Sequence, residues 1–188
     1  MTGRRPDRTS TPRRQILIGT AALASAGLAG CLADAGEAEP AEPIALTDGR
    51  TCDVCGMTIA DHYGPAGQIF YADDKPEVRD GPAYFDSVAE LLNYRDRRDA
   101  RGWTVRATFV TDYSSVDYEL NERDGSRRIS THADVAAFAD ATDCYYVVDS
   151  GVRGAMGDEY LPFSDYEEAT AFVDDHGGTV SQWHHLVE

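Results

Sequence analysis

The sequence predicts an α+β fold built from two similar small units, each an antiparallel sheet backed by a helix. Three observations lead there: a strand–strand–helix–strand order that reads twice, a helix-start signal in each half, and glycines where each helix should stop. In the first half, Gln68-Ile69-Phe70-Tyr71 and Ala83-Tyr84-Phe85 are short apolar runs of strand type. Ser87 and Glu90 then form a capping box, and Val88, Leu91, Leu92 and Arg95 follow at helical spacing up to Arg101-Gly102. Trp103 to Thr111 alternates apolar and polar residues, the mark of a half-buried strand.

The second half repeats the plan. Cys144-Tyr145-Tyr146-Val147-Val148 and Leu161-Pro162-Phe163 read as strands, and Ser164 with Glu167 should cap a helix whose stripe is Ala169, Phe172 and Val173. Gly177-Gly178 ends it, and Thr179 to Leu186 returns as a strand. His132 to Asp140 reads as a short linking helix. The folded part is expected over residues 49–188, as half-repeats at about 49–112 and 140–188, a self-similarity that suggests duplication.

Residues 1–30 are set apart as a targeting segment. Arg13-Arg14-Gln15-Ile16-Leu17 has the form of a twin-arginine signal and opens an apolar run that is short for a bilayer span. It ends in Leu28-Ala29-Gly30-Cys31, a lipobox, which predicts cleavage before Cys31 and lipidation of its thiol. Such a chain would be exported folded and held on the outer face of the cytoplasmic membrane. Residues 31–48 are rich in Ala, Glu and Pro and are expected to be a flexible tether.

Beyond residue 30 the chain has 12 basic and 32 acidic residues, and Lys75 is its single lysine. So negative a chain is not a nucleic-acid binder, because phosphate contacts need a basic patch. Acid-rich, lysine-poor exported chains suit a high-salt habitat, where charge repulsion is screened over a few ångströms.

The chemistry is concentrated in sulfur. Cys52-Asp53-Val54-Cys55-Gly56-Met57 places two thiols and a thioether within six residues, and Met156 lies in Gly154-Ala155-Met156-Gly157. A methionine between glycines has little apolar surface to pack on. Soft sulfur selects Cu(I) over hard cations, and a thioether has no proton to lose, so it stays a donor in acid. Cys55, Met57 and Met156 are therefore the candidate Cu(I) ligands, with Cys52 behind them. The Cys-x-x-Cys pair alone leaves three fates open: disulfide, redox couple or metal ligation. Cys144 opens an apolar strand and reads as a buried, inert thiol.

Cys55-Gly56-Met57, Tyr84-Phe85-Asp86-Ser87 and the long stretch from Tyr145 through Met156-Gly157 to Leu161-Pro162-Phe163 resemble the NosL family. The resemblance runs from about Cys52 to Leu186. It implies a membrane-attached lipoprotein that delivers Cu(I) for maturation of nitrous-oxide reductase, with that enzyme and its copper-site assembly transporter as partners. It also implies a fold of two similar α/β units related to organomercurial lyase, and a non-enzymatic role. By position it implicates Cys55, Met57 and Met156. Many relatives place a histidine just after the first cysteine, where this chain has Asp53. His62, the nearest histidine, either supplies the missing nitrogen or is a surface residue without a role.

Two rivals stay open. One is an enzyme, a thiol oxidoreductase or organometal lyase using Cys52, Cys55 and Cys144. The other is a passive domain with a Cys52–Cys55 disulfide.

Overall fold

In the computed structural model, residues 40–187 are described, except 74 and 77–79. The signal and Cys31 lie outside the described residues. The described strands are β1 (Gly67–Tyr71), β2 (Ala83–Phe85), β3 (Val105–Thr111), β4 (Leu120–Arg123), β5 (Ser126–Ile129), β6 (Phe138–Asp140), β7 (Tyr145–Val148), β8 (Val152–Arg153), β9 (Leu161–Phe163) and β10 (Thr179–Gln182). The helices are α1 (Val88–Asp99), α2 (Tyr166–His176) and a four-residue α3 (Trp183–Leu186). Among the described residues, no helix is long and apolar enough to cross a membrane.

The first sheet has the order β2-β1-β3-β6 and is antiparallel throughout. All five residues of its central strand β1 are buried, because both faces are covered. On one face α1 packs so closely that a Cβ at Gly67 would stand 2.4 Å from Leu91 Cδ1. On the other face Gln68, fully buried, exchanges two 3.0 Å hydrogen bonds with the backbone of Ile44. The second sheet, order β10-β7-β9, is antiparallel and packs against α2. In both units the leading strand sits in the middle, between the strand that enters the helix and the strand that leaves it. The α+β architecture read from the pattern is the one observed.

Asp112, at the exit of β3, ties the two units together. Its carboxylate accepts from Ser164 N at 2.8 Å, Ser164 Oγ at 2.7 Å and Ser114 N at 2.9 Å. Ser164 is thereby occupied, and the cap of α2 is Asp165, which accepts from Glu167 N and Glu168 N, not the predicted Ser164. The predicted cap of α1 is observed, with Ser87 Oγ accepting from Glu90 N at 3.2 Å.

Three further expectations are corrected, and one sheet is additional. The tether does not extend to residue 48: Leu46 is fully buried, its N–H donates to Ala133 O at 2.7 Å, and Ile44 packs on the core. Two apolar residues with matching grooves outweigh the acidic, proline-flanked context. Residues 132–140 are not a helix but a 3-10 turn at Val135–Ala137 followed by β6, because the open edge of β3 offers ladder hydrogen bonds. Thr179 to Leu186 stops being a strand at Gln182 and turns into α3. A third sheet, β4-β5-β8, with a parallel β5–β8 pair, was not anticipated.

Candidate metal centre

The Cys52–Met57 segment closes on itself. Cys52 N donates to Met57 O at 2.9 Å and Gly56 N to Cys52 O at 3.0 Å, with Gly56 at φ 75°, a left-handed conformation that glycine adopts freely. The loop is then fastened to β2: Asp53 N donates to Tyr84 O at 2.8 Å, and Tyr84 N donates to Asp53 Oδ2 at 2.7 Å. Asp53, where many relatives are expected to hold a histidine, thus serves to seat the loop.

That seat brings the thiols to the start of α1. Cys52 Sγ lies 3.3 Å from Glu90 Oε2, and Cys55 Sγ lies 3.4 and 3.5 Å from the two oxygens of Asp86. One donor atom from each of Cys52, Cys55, Asp86 and Glu90 falls within 4.8 Å of the other three. Asp86 lies just before the Ser87 cap and Glu90 in the first turn, and a helix N-terminus favours their negative charge. Cys52 and Asp86 are buried; Cys55 and Glu90 are half-buried, which leaves the cluster open on one side.

The electrostatics keep both thiols protonated. Burial pushes the Cys52 thiol far above its ordinary value, against the pull of backbone N–H groups at Cys55, Asp86 and Val54. Cys55 is also raised, first by burial and then by the Asp86 charge, with the backbone at Met57 and the Cys52 side chain opposing. A cation entering here displaces thiol protons and finds two carboxylates to offset its charge. Cys52, Cys55 and Cys144 are all free thiols. Cys144 lies apart from the cluster, 3% exposed and pushed to about 12 chiefly by burial, which agrees with the reading of an inert thiol.

Met57 belongs to the same loop as the two thiols. Met156 stands at the tip of a hairpin closed by an Arg153–Asp158 bridge and by Gly154 N donating to Gly157 O at 2.9 Å. Its side chain is 51% exposed. The hairpin rests on the loop after the cysteines, where a Cβ at Gly64 would come within 2.8 Å of Gly154 Cα. His62 lies outside the four-residue cluster and lines a cavity of about 280 Å³ with Asp61, Tyr63, Arg123, Arg128 and Ala155, beside the hairpin. The structure therefore joins Cys52 to Cys55 and adds Asp86 and Glu90, which the sequence reading passed over. Their signal was present as acids four apart at a helix start, but capping preference alone explains acids there.

An α+β scaffold that gathers two thiols and two carboxylates at one helix start defines a candidate metal-binding protein. The chain belongs to the NosL family, whose model matches residues 43–188. The copper-binding lipoprotein NosL of Stutzerimonas stutzeri is 32% identical over 166 residues, covering 88% of this chain and 77% of that protein. Its counterpart from Achromobacter cycloclastes is 30% identical over 169 residues, covering 89% and 77%. The crystal structure of the copper chaperone NosL from Shewanella denitrificans has a similar fold, with a TM-score of 0.55 at 24% identity over 77% of this chain and 92% of that one.

Proposed function

We propose that this protein is a copper chaperone that holds Cu(I) and gives it up to a partner. The observation behind this reading is the Cys52, Cys55, Asp86 and Glu90 cluster in a chain whose relatives are named copper-binding lipoproteins. Cys55, half-buried, supplies thiolate from the open side, and Cys52 supplies a second from beneath. Met57 and Met156 supply thioethers, which favour the monovalent ion. A site left open on one side lets a partner's ligand attack the ion before this protein's donors leave, so no free copper is released.

The same reading puts the protein on the outer face of the cytoplasmic membrane, exported by the twin-arginine route and anchored through Cys31. It makes nitrous-oxide reductase and its copper-site assembly transporter the recipients. The acidic composition accords with a high-salt habitat; stability that does not rise between low and molar salt would argue against that.

The test is anaerobic Cu(I) titration followed by X-ray absorption. One Cu(I) per chain with at least two sulfur neighbours is expected; nitrogen-rich coordination, or no binding, would refute it. The oxidoreductase alternative needs a thiol with a lowered pKa, and here both thiols are raised.

A further inference from the structure

Glu159 is 4% exposed and takes no part in the cluster described above. It lies three residues beyond Met156, where the hairpin returns to the core. A carboxyl buried to this degree is costly unless its oxygens are met by donors. Oε1 is met twice, by Tyr160 N at 3.0 Å and by Ala89 N at 2.9 Å. Ala89 is in the first turn of α1, whose N–H groups have no acceptor within the helix. Among the described residues, Oε2 is buried with no hydrogen-bond partner. It faces Gly154, where an added Cβ would stand 2.8 Å from it.

One side chain thus touches both arms of the hairpin and the helix turn that bears the cation cluster. Gly154 precedes the tip and packs on the carboxyl, while Glu159 itself follows the tip. Ala89, which it holds, adjoins Glu90, whose Oε2 is 3.3 Å from Cys52 Sγ. The far side of the hairpin is held by Arg128, whose Nη1 donates to Gly154 O at 2.9 Å. An apolar side chain of similar size would fill the space without an unmet oxygen, but it would release Ala89 N–H and the link to α1.

We propose that Glu159 is the positioning residue of the cation site: its carboxyl locks the Met156 hairpin to the first turn of α1 and so sets where the thioether stands relative to the Cys52–Cys55–Asp86–Glu90 cluster. This rests on the reading of Met156 as a donor. Glu159 itself does not touch the ion.

The experiment has two arms. In the metal-free full chain, labelled at the methionine methyl groups, NMR reads the hairpin without any copper. Glu159→Ala should shift the Met156 methyl signal and leave that of Met57 in place. Glu159→Gln keeps Oε1 and should leave both unmoved. Should the alanine variant fail to fold, Glu159→Asp, one methylene too short to reach Ala89, gives the same comparison. An unmoved Met156 signal overturns the proposal.

The second arm is Cu(I) titration against a chromophoric chelator in a double-mutant cycle. Glu159→Ala should weaken Cu(I) binding about tenfold with Met156 present and less than about twofold in a Met156→Leu background. Equal losses in both backgrounds would mean that Glu159 acts by some other path. Unchanged binding in Met156→Leu alone would remove Met156 as a donor, while the methyl signal would still report whether Glu159 holds the hairpin.

Discussion

Cys55 Sγ lies 3.4 Å from Asp86 Oδ2, so the thiol donates a hydrogen bond to a carboxylate one residue ahead of the cap of α1. The same charge has two opposed effects. It disfavours the thiolate while the site is empty, and it favours a cation once one arrives. A thiol pair held protonated resists disulfide formation and adventitious alkylation, since the thiolate is the reactive species.

Asp86→Asn separates those two effects. Loss of the charge should lower the Cys55 pKa and speed its reaction with iodoacetamide at neutral pH by a few-fold. Copper binding should weaken in the same variant, by about tenfold. Slower alkylation would mean that Asp86 does not hold the thiol proton.

Copper binding should depend steeply on pH. Both thiols are raised above 9.0 and are protonated near neutrality. Each thiol that loses its proton to the metal should add about a tenfold gain in apparent affinity per pH unit. A slope near two, measured by chelator competition from about pH 6 to pH 8, identifies both Cys52 and Cys55 as ligands, and a slope near one leaves only one.

Glu159 predicts a stability change of opposite sense to that of a salt-bridged acid. Burial raises its carboxyl from 4.5 to about 7, against the nearby Ser87 side chain and the backbone at Tyr160 and Ala89. The native state therefore binds this proton more tightly than the unfolded chain does. The contribution is fully present below the unfolded value and is lost as pH rises through about 7. Urea unfolding near pH 5 and near pH 8 should show wild type losing on the order of 2 to 3 kcal/mol relative to Glu159→Gln. Parallel pH profiles for the two proteins would contradict the assignment.

Leu46→Ala tests where the folded part begins. Leu46 is fully buried and anchored to Ala133. Its truncation should cost about 2 to 5 kcal/mol in denaturant unfolding, as for other core leucines. A loss below about 0.5 kcal/mol, the size of a surface change, would return this segment to the tether.

Much of the fold was legible from residue order because its signals are local. Ser87 and Glu90 announce α1, the alternation before Thr111 announces β3, and the glycines at 177 and 178 end α2. Local signals failed where a distant partner decided the outcome. Phe138–Asp140 became a strand because β3 had a free edge, and Ser164 was drawn from its cap by Asp112, 52 residues away. Ile44 and Leu46 looked like tether because nothing beside them in the chain shows the groove they fill.

The site divides along the same line. Sequence alone supplied the candidate soft donors, since two thiols and a thioether within six residues are a property of the chain, and it matched the family through motifs that are themselves contiguous. Only tertiary structure decided what surrounds those donors. Asp53 seats the loop on β2, and that contact carries the thiols to Asp86 and Glu90 more than thirty residues on. Burial there raises both thiols, and burial is a property of the packed chain that no short stretch of residues encodes.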